Sequence, residues 1–173
     1  MTQTTRICLW SGPRNISTAL MYSFAQRSDT AVFDEPLYAH YLSKTAAREY
    51  HPGAEQVIAE MENDGEKVVR DLILGNHDAP VLFFKHMTHH LNDLDWGFMQ
   101  QTVNIILTRD PYDMLPSYAK QVEQHALHDV ALAVIGVDVA DREEGCLVGH
   151  CLRVDRGSGV RHRNRVHWCA PPR

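Results

Sequence analysis

At 173 residues the chain is sized for one domain with a core of its own, and 44% hydrophobic against 23% charged residues excludes wholesale disorder. A formal net charge of -5 excludes a general nucleic-acid binder while leaving room for local basic sites. No apolar run is long enough to cross a bilayer, and the apolar stretch in MTQTTRICLW is too short for a secretory signal, so the expected compartment is the cytoplasm. Cys8, Cys146, Cys151 and Cys169 are too few for a disulfide framework in such a chain, and Cys8 reads as a small core residue.

In chain order, Arg6 to Trp10 is a short apolar run closed by Ser11-Gly12-Pro13, the punctuation of a buried strand. Ile16, Ala19, Leu20, Ser23 and Phe24 then recur at helical spacing, with Asn15 or Ser17 available as N-cap. TAVFDEP (30–36) predicts a second strand stopped by Pro36, and LYAHYLSKTAAREY predicts a helix reaching His51-Pro52. Residues 54–74 read as a longer helix interrupted near Asn63-Asp64-Gly65. APVLFFKH (79–86) is a third strand, followed by a polar helical stretch through Trp96 and Met99. TVNIILTRD (102–110) is a fourth, and PYDMLPSYAKQVEQ opens a helix with Pro111 in its first turn.

Apolar strands that run without alternation, separated by helical segments, predict a three-layer α/β fold: a parallel sheet with helices on both faces. Ligands of open parallel sheets bind at the carboxyl ends of the strands. The polar clusters Arg14 to Thr18, Asp34-Glu35, Lys85-His86 and Arg109-Asp110 all fall at those ends.

A loop between a strand and a helix turns backbone N–H groups and the positive helix end toward one point, where a phosphate or sulfate fits. In SGPRNIST, Arg14 adds a bidentate cation, and Ser17 and Thr18 add hydroxyls. The Gly-Lys-Ser/Thr ending of ATP-binding loops is missing, which argues against an ATPase or GTPase. In RDPYDMLPSYAK, Arg109 ends a strand and Ser117 follows eight residues on, about two turns into the next helix, so both can reach one phosphate. Arg109 can equally pair with Asp110 or Asp113.

These two segments resemble the sulfotransferase family, whose donor is 3′-phosphoadenosine-5′-phosphosulfate, and the likeness extends over roughly residues 5 to 125. SGPRNISTAL is similar to the family's loop for the 5′-phosphosulfate, RDPYDMLPS to its 3′-phosphate site, and DEPLY to a motif of a bacterial-type subgroup. The resemblance implies a P-loop NTPase-like fold. It also implies that Arg14, Ser17 and Thr18, with the backbone of Asn15 and Ile16, bind the phosphosulfate, while Arg109 and Ser117 hold the 3′-phosphate. The implied reaction moves a sulfuryl group to a hydroxyl or amine of a small-molecule acceptor, with no metal, nucleic acid or membrane involved.

Such a transfer needs a base for the acceptor and a positive group near the bridging oxygen. Glu35 stands where family members with a glutamate base carry it. Its alternative reading is a carboxylate favoured by a helix N-terminus, and Asp34 is the other available carboxylate. His86 is the second candidate base, because other members use a histidine near the third strand, and Lys85 can steady the transferring group or simply snorkel from a strand end. HMTHH (86–90) reaches metal-ligand spacing only if His86 and His90 share a helix, and no carboxylate completes the set. LYAHYLSKTAAREY suggests an aromatic wall for the acceptor.

Composition changes near residue 129: all four lysines precede it, whereas the later basic residues are seven arginines accompanied by three of the four cysteines. Residues 1–129 therefore read as the sulfotransferase-like domain. Residues 130–173 read as an atypical tail without helical or strand periodicity, frameshifted or truncated, which leaves the sheet incomplete. Two other functions stay open on these residues: a P-loop small-molecule kinase, and an inactive nucleotide-binding remnant.

Overall fold

The first apolar run forms β1 (Thr5–Ser11), and it occupies the middle of the sheet. The computed structural model describes residues 4–109, 116, 117, 120, 146–155 and 159–169. β1 is followed by α1 (Ser17–Ala25), β2 (Thr30–Asp34), α2 (Tyr38–Lys44) and α3 (Ala54–Glu60). A short helix α4 (Gly65–Lys67) continues directly into a π-helical turn, Val68–Ile73. β3 (Val81–Met87) and β4 (Val103–Arg109) are separated by two 3₁₀ turns, Thr88–Leu91 and Trp96–Gln101.

The sheet order is β2-β3-β1-β4, all parallel, so the chain leaves β1 toward one side and later crosses to the other. Register aligns the carboxyl ends: Ser11 lies opposite Met87 and Leu107, and Asp34 lies opposite Lys85. Beyond β4 the sheet gains β5 (Cys146–Asp155), parallel to β4, and β6 (Gly159–Cys169), antiparallel to β5.

Alternation along the strands sends side chains to both faces. Leu9, Phe83 and Leu107 pack with Met21, Leu20 and Phe24 of α1 on one face. Cys8, Trp10, Leu82 and Phe84 pack on the other with Val68, Val69 and Ile73 of the π turn and with Phe98 and Met99. This is the expected three-layer α/β architecture. Burial lifts the Cys8 thiol to about 12 despite a hydrogen bond involving Thr102, so it is inert core. The Arg6 guanidinium crosses to the end of the π turn and donates to the carbonyls of Ile73, Leu74 and Gly75 at 2.9–3.2 Å.

Four expectations change in detail. The long helix breaks at Asn63-Asp64 as read, but its second half is π-helical, and the polar stretch after β3 is 3₁₀. The helix expected to reach His51 stops at Lys44 and resumes as a 3₁₀ turn, Ala46–Glu49, capped by Thr45. The tail does contain strands. Val160 to Arg163 follow a period of two disguised by polar residues in both phases, and the register slips by one residue at Asn164. The compositional boundary near residue 129 and Pro111 lie outside the described residues, and β5 and β6 continue the same sheet.

Candidate active site

The loop after β1 is built from buried Ser11 and Gly12, then turns outward at Arg14, whose φ of 61° lies in the left-handed region. Asn15 fastens the turn: its Nδ2 donates to the carbonyl of Gly12 at 3.1 Å and to that of Leu107 on β4 at 3.3 Å. Its Oδ1 is buried and has no hydrogen-bond partner among the described residues. The expected side-chain cap by Asn15 or Ser17 is not formed. Ile16, which has no side-chain acceptor, occupies the N-cap position of α1 without a capping hydrogen bond, since the helix starts at Ser17, one residue beyond Asn15's reach as N-cap. The first-turn N–H groups are thus left for another acceptor, as an anion-binding helix end requires. Ser17 is buried and Thr18 exposed at this end.

The second phosphate motif meets the first. Arg109 Nη1 donates to the Arg14 carbonyl at 2.7 Å, and Arg14 Nε donates to Ser117 Oγ at 3.1 Å. Arg14, Arg109 and Ser117, drawn from three separate stretches of chain, form one connected group. Asp110 and Asp113, the alternative partners of Arg109, lie outside the described residues.

At the carboxyl ends of β2 and β3, Lys85 Nζ donates to Asp34 Oδ1 at 2.7 Å and to Glu35 Oε1 at 2.6 Å. The Lys85 side chain is 7% exposed, against 26% for Glu35 and 52% for Asp34. Burial alone would lower the Lys85 ammonium, but the charge of Glu35 and hydrogen bonds to both carboxylates outweigh it and leave the group raised. Glu35 has φ 47°, and its N–H donates to the Lys85 carbonyl at 2.8 Å, so the strained backbone extends the β2–β3 ladder by one residue. The snorkelling reading of Lys85 does not match this buried, doubly paired ammonium.

His86 is not brought to this group. As the next residue on β3 it faces the opposite side, fully buried and stacked on Trp10 with ring centroids 4.3 Å apart. Burial, assisted by the Lys85 charge, depresses its imidazole to about 3, and neither ring nitrogen has a hydrogen-bond partner among the described residues. His90 is buried in a 3₁₀ turn between the rings of Tyr38 and Tyr41 and is also held neutral, chiefly by burial. His86 and His90 therefore share no helix. Among the described residues no cluster of His, Cys, Asp or Glu has a metal-binding arrangement.

The aromatic segment after DEP splits. Tyr41 is core between α2 and α3, whereas Tyr38 is half-buried and its hydroxyl meets His51 Nδ1 at 3.0 Å. The sequence offered Asn15 as a backbone ligand or helix cap and Asp34 as a substitute base, not as the docking and pairing groups they are. Their side-chain contacts depend on β4 and β3, distant in sequence, and only the unusual Asn-after-Arg loop and the paired Asp-Glu hinted at them.

An uncapped helix start, two arginines in contact and a carboxylate–ammonium cluster thus line the carboxyl edge of a parallel sheet in an α/β fold. The chain belongs to the sulfotransferase domain family, whose model matches residues 5–163, a span that includes β5 and part of β6. It is 42% identical over 124 residues to branched-chain-amino-acid aminotransferase-like protein 2 of Arabidopsis thaliana, which aligns 71% of this chain with 22% of that protein. It is 45% identical over 112 residues to the like-named protein 1 of the same plant, covering 64% of this chain and 20% of the relative. The chain thus spans about a fifth of the length of these curated relatives. No described helix is long and apolar enough to cross a membrane.

Proposed function

We propose that the chain moves a sulfuryl group from 3′-phosphoadenosine-5′-phosphosulfate to a hydroxyl or amine of a small-molecule acceptor. The observation that carries this reading is the junction of Arg14, Arg109 and Ser117 at the uncapped start of α1. Two anionic groups of one nucleotide need two cationic points a short distance apart, and a loop for a single phosphate has no use for the second.

In this reading the N–H groups at the start of α1, with Arg14, Ser17 and Thr18, hold the 5′-phosphosulfate, and Arg109 and Ser117 hold the 3′-phosphate. Asn15 keeps the loop docked on β4. Glu35 takes the acceptor's proton as the acceptor atom bonds to sulfur. The bond from sulfur to the bridging oxygen breaks, and the electron pair leaves with the phosphate, where the helix end and Arg14 stabilise it. Lys85 offers its charge to the transferring group. Glu35 is favoured over His86 because it is partly exposed at the sheet edge, while His86 is sealed beneath Trp10.

Calorimetry tests the reading. Adenosine 3′,5′-bisphosphate should bind without metal, and Arg109→Ala should abolish that binding. Preference for ATP with magnesium would instead establish a kinase, and absence of binding to either nucleotide would establish an inactive remnant.

A further inference from the structure

We infer that Asp34 is a positioning residue for the transfer step: it retains the Lys85 ammonium at the sheet edge while Glu35 exchanges that partner for a proton. The inference rests on the sulfotransferase reading of Glu35 and Lys85. Its geometry is the two-fold pairing of one buried ammonium, 2.7 Å from Asp34 Oδ1 and 2.6 Å from Glu35 Oε1.

A base that takes the acceptor's proton becomes neutral and releases its ion pair. With a single carboxylate partner, that event would strand a buried ammonium without a counter-charge, a strongly unfavourable state. Here the second carboxylate remains. Asp34 sits directly across from Lys85 in the β2–β3 register, so it holds the chain of Lys85 extended along the edge whatever Glu35 does. The exposures fit this division of labour: Lys85 is nearly sealed, Glu35 is a quarter exposed toward the site, and Asp34 is half in solvent. A water-facing carboxylate is a poor base but a steady counter-charge.

The groups around Lys85 leave the role to these two residues. From β2 and its end come Asp34 and Glu35. On β3 and the turn beyond it, His86 and His90 are held neutral, chiefly by burial, and β1 presents Leu9 at the Lys85 register position. Since burial pulls the ammonium down and the two carboxylates lift it, removing the Asp34 charge must lower it.

The full chain contains four lysines, so ¹⁵N-lysine labelling yields a spectrum in which Lys85 Nζ is assignable by Lys85→Arg. Asp34→Asn should move the Lys85 titration to lower pH, and Asp34→Glu should restore it. Turnover of the phosphosulfate donor, with water as acceptor, should fall about ten- to hundredfold in Asp34→Asn, its alkaline limb shifting in the same direction. Affinity for adenosine 3′,5′-bisphosphate should stay within about twofold, which also verifies folding. An unmoved Lys85 titration, or an unmoved alkaline limb with bisphosphate binding intact, overturns the role of Asp34 alone. Failure of the wild type to bind the bisphosphate overturns the sulfotransferase reading and the transfer role with it.

Discussion

Arg14 Nε donates to Ser117 Oγ at 3.1 Å across 103 residues of sequence, so the cation of the first loop touches the hydroxyl of the second phosphate motif. The same arginine's carbonyl accepts from Arg109 at 2.7 Å. The two segments thus satisfy one another, and under the proposed function a bound nucleotide exchanges these bonds for its own. A double-mutant cycle of Arg14→Ala and Ser117→Ala in bisphosphate binding should show coupling of roughly 0.5–2 kcal/mol. Losses that add to within about 0.5 kcal/mol would mean the two residues act independently.

Among the described residues, left-handed backbone at non-glycine positions occurs at Arg14, Glu35 and Asp93, and the first two are site residues. An L-residue pays about 1–2 kcal/mol for that conformation. In urea denaturation Glu35→Gly should therefore be more stable than Glu35→Ala by about 1 kcal/mol, since both lose the Lys85 pair and only alanine keeps the strain. Glu35→Gln should abolish sulfuryl transfer with donor affinity preserved, and unchanged turnover would remove Glu35 as the base.

His86 carries a pH dependence. Its imidazole is held at about 3 in the fold against an ordinary 6.5. Between those values the unfolded chain binds a proton that the folded chain refuses, so stability is greatest above the upper value and falls as acid is added. His86→Phe keeps a ring against Trp10 and removes two buried nitrogens without partners. Urea midpoints measured at about pH 7 and about pH 5 should converge in this variant relative to wild type. An equal acid loss in both proteins would show that the proton binds elsewhere.

Gly65 opens α4 against the ring of His40, and a β-carbon there would lie 2.7 Å from His40 Nδ1. The ring cannot step aside cheaply: Nε2 contacts the Asn92 carbonyl at 2.8 Å, and Nδ1 accepts from the Gly65 N–H at 3.2 Å. Gly65→Ala should cost about 1–3 kcal/mol in thermal unfolding, and combining it with His40→Ala should cost less than the sum of the single losses. Strict additivity would mean that His40 does not set the space at Gly65.

The strands and the loop were legible because their signals are local. ICLW, VLFF and IIL are continuous apolar runs, and Gly12-Pro13 punctuates the first of them. The arginine-rich β6 was harder to see, because backbone pairing to β5 holds it in the sheet and its polar letters mask the alternation. His86 looked equivalent to Lys85 on the page. One step along a strand reverses the face, and that step separates a site ammonium from a sealed core imidazole.

By itself the sequence determined the parallel α/β scaffold and set Arg14 to Thr18, Asp34-Glu35, Lys85 and Arg109 at or just beyond the carboxyl ends of its strands, since strand patterning is written along the chain. Only the tertiary structure decided that Arg14 contacts Ser117, that Lys85 bridges Asp34 and Glu35, and that Asn15 anchors the loop to β4. Those relations join residues about 50 or more positions apart, and the register of neighbouring strands, not any local pattern, brings them within hydrogen-bonding distance.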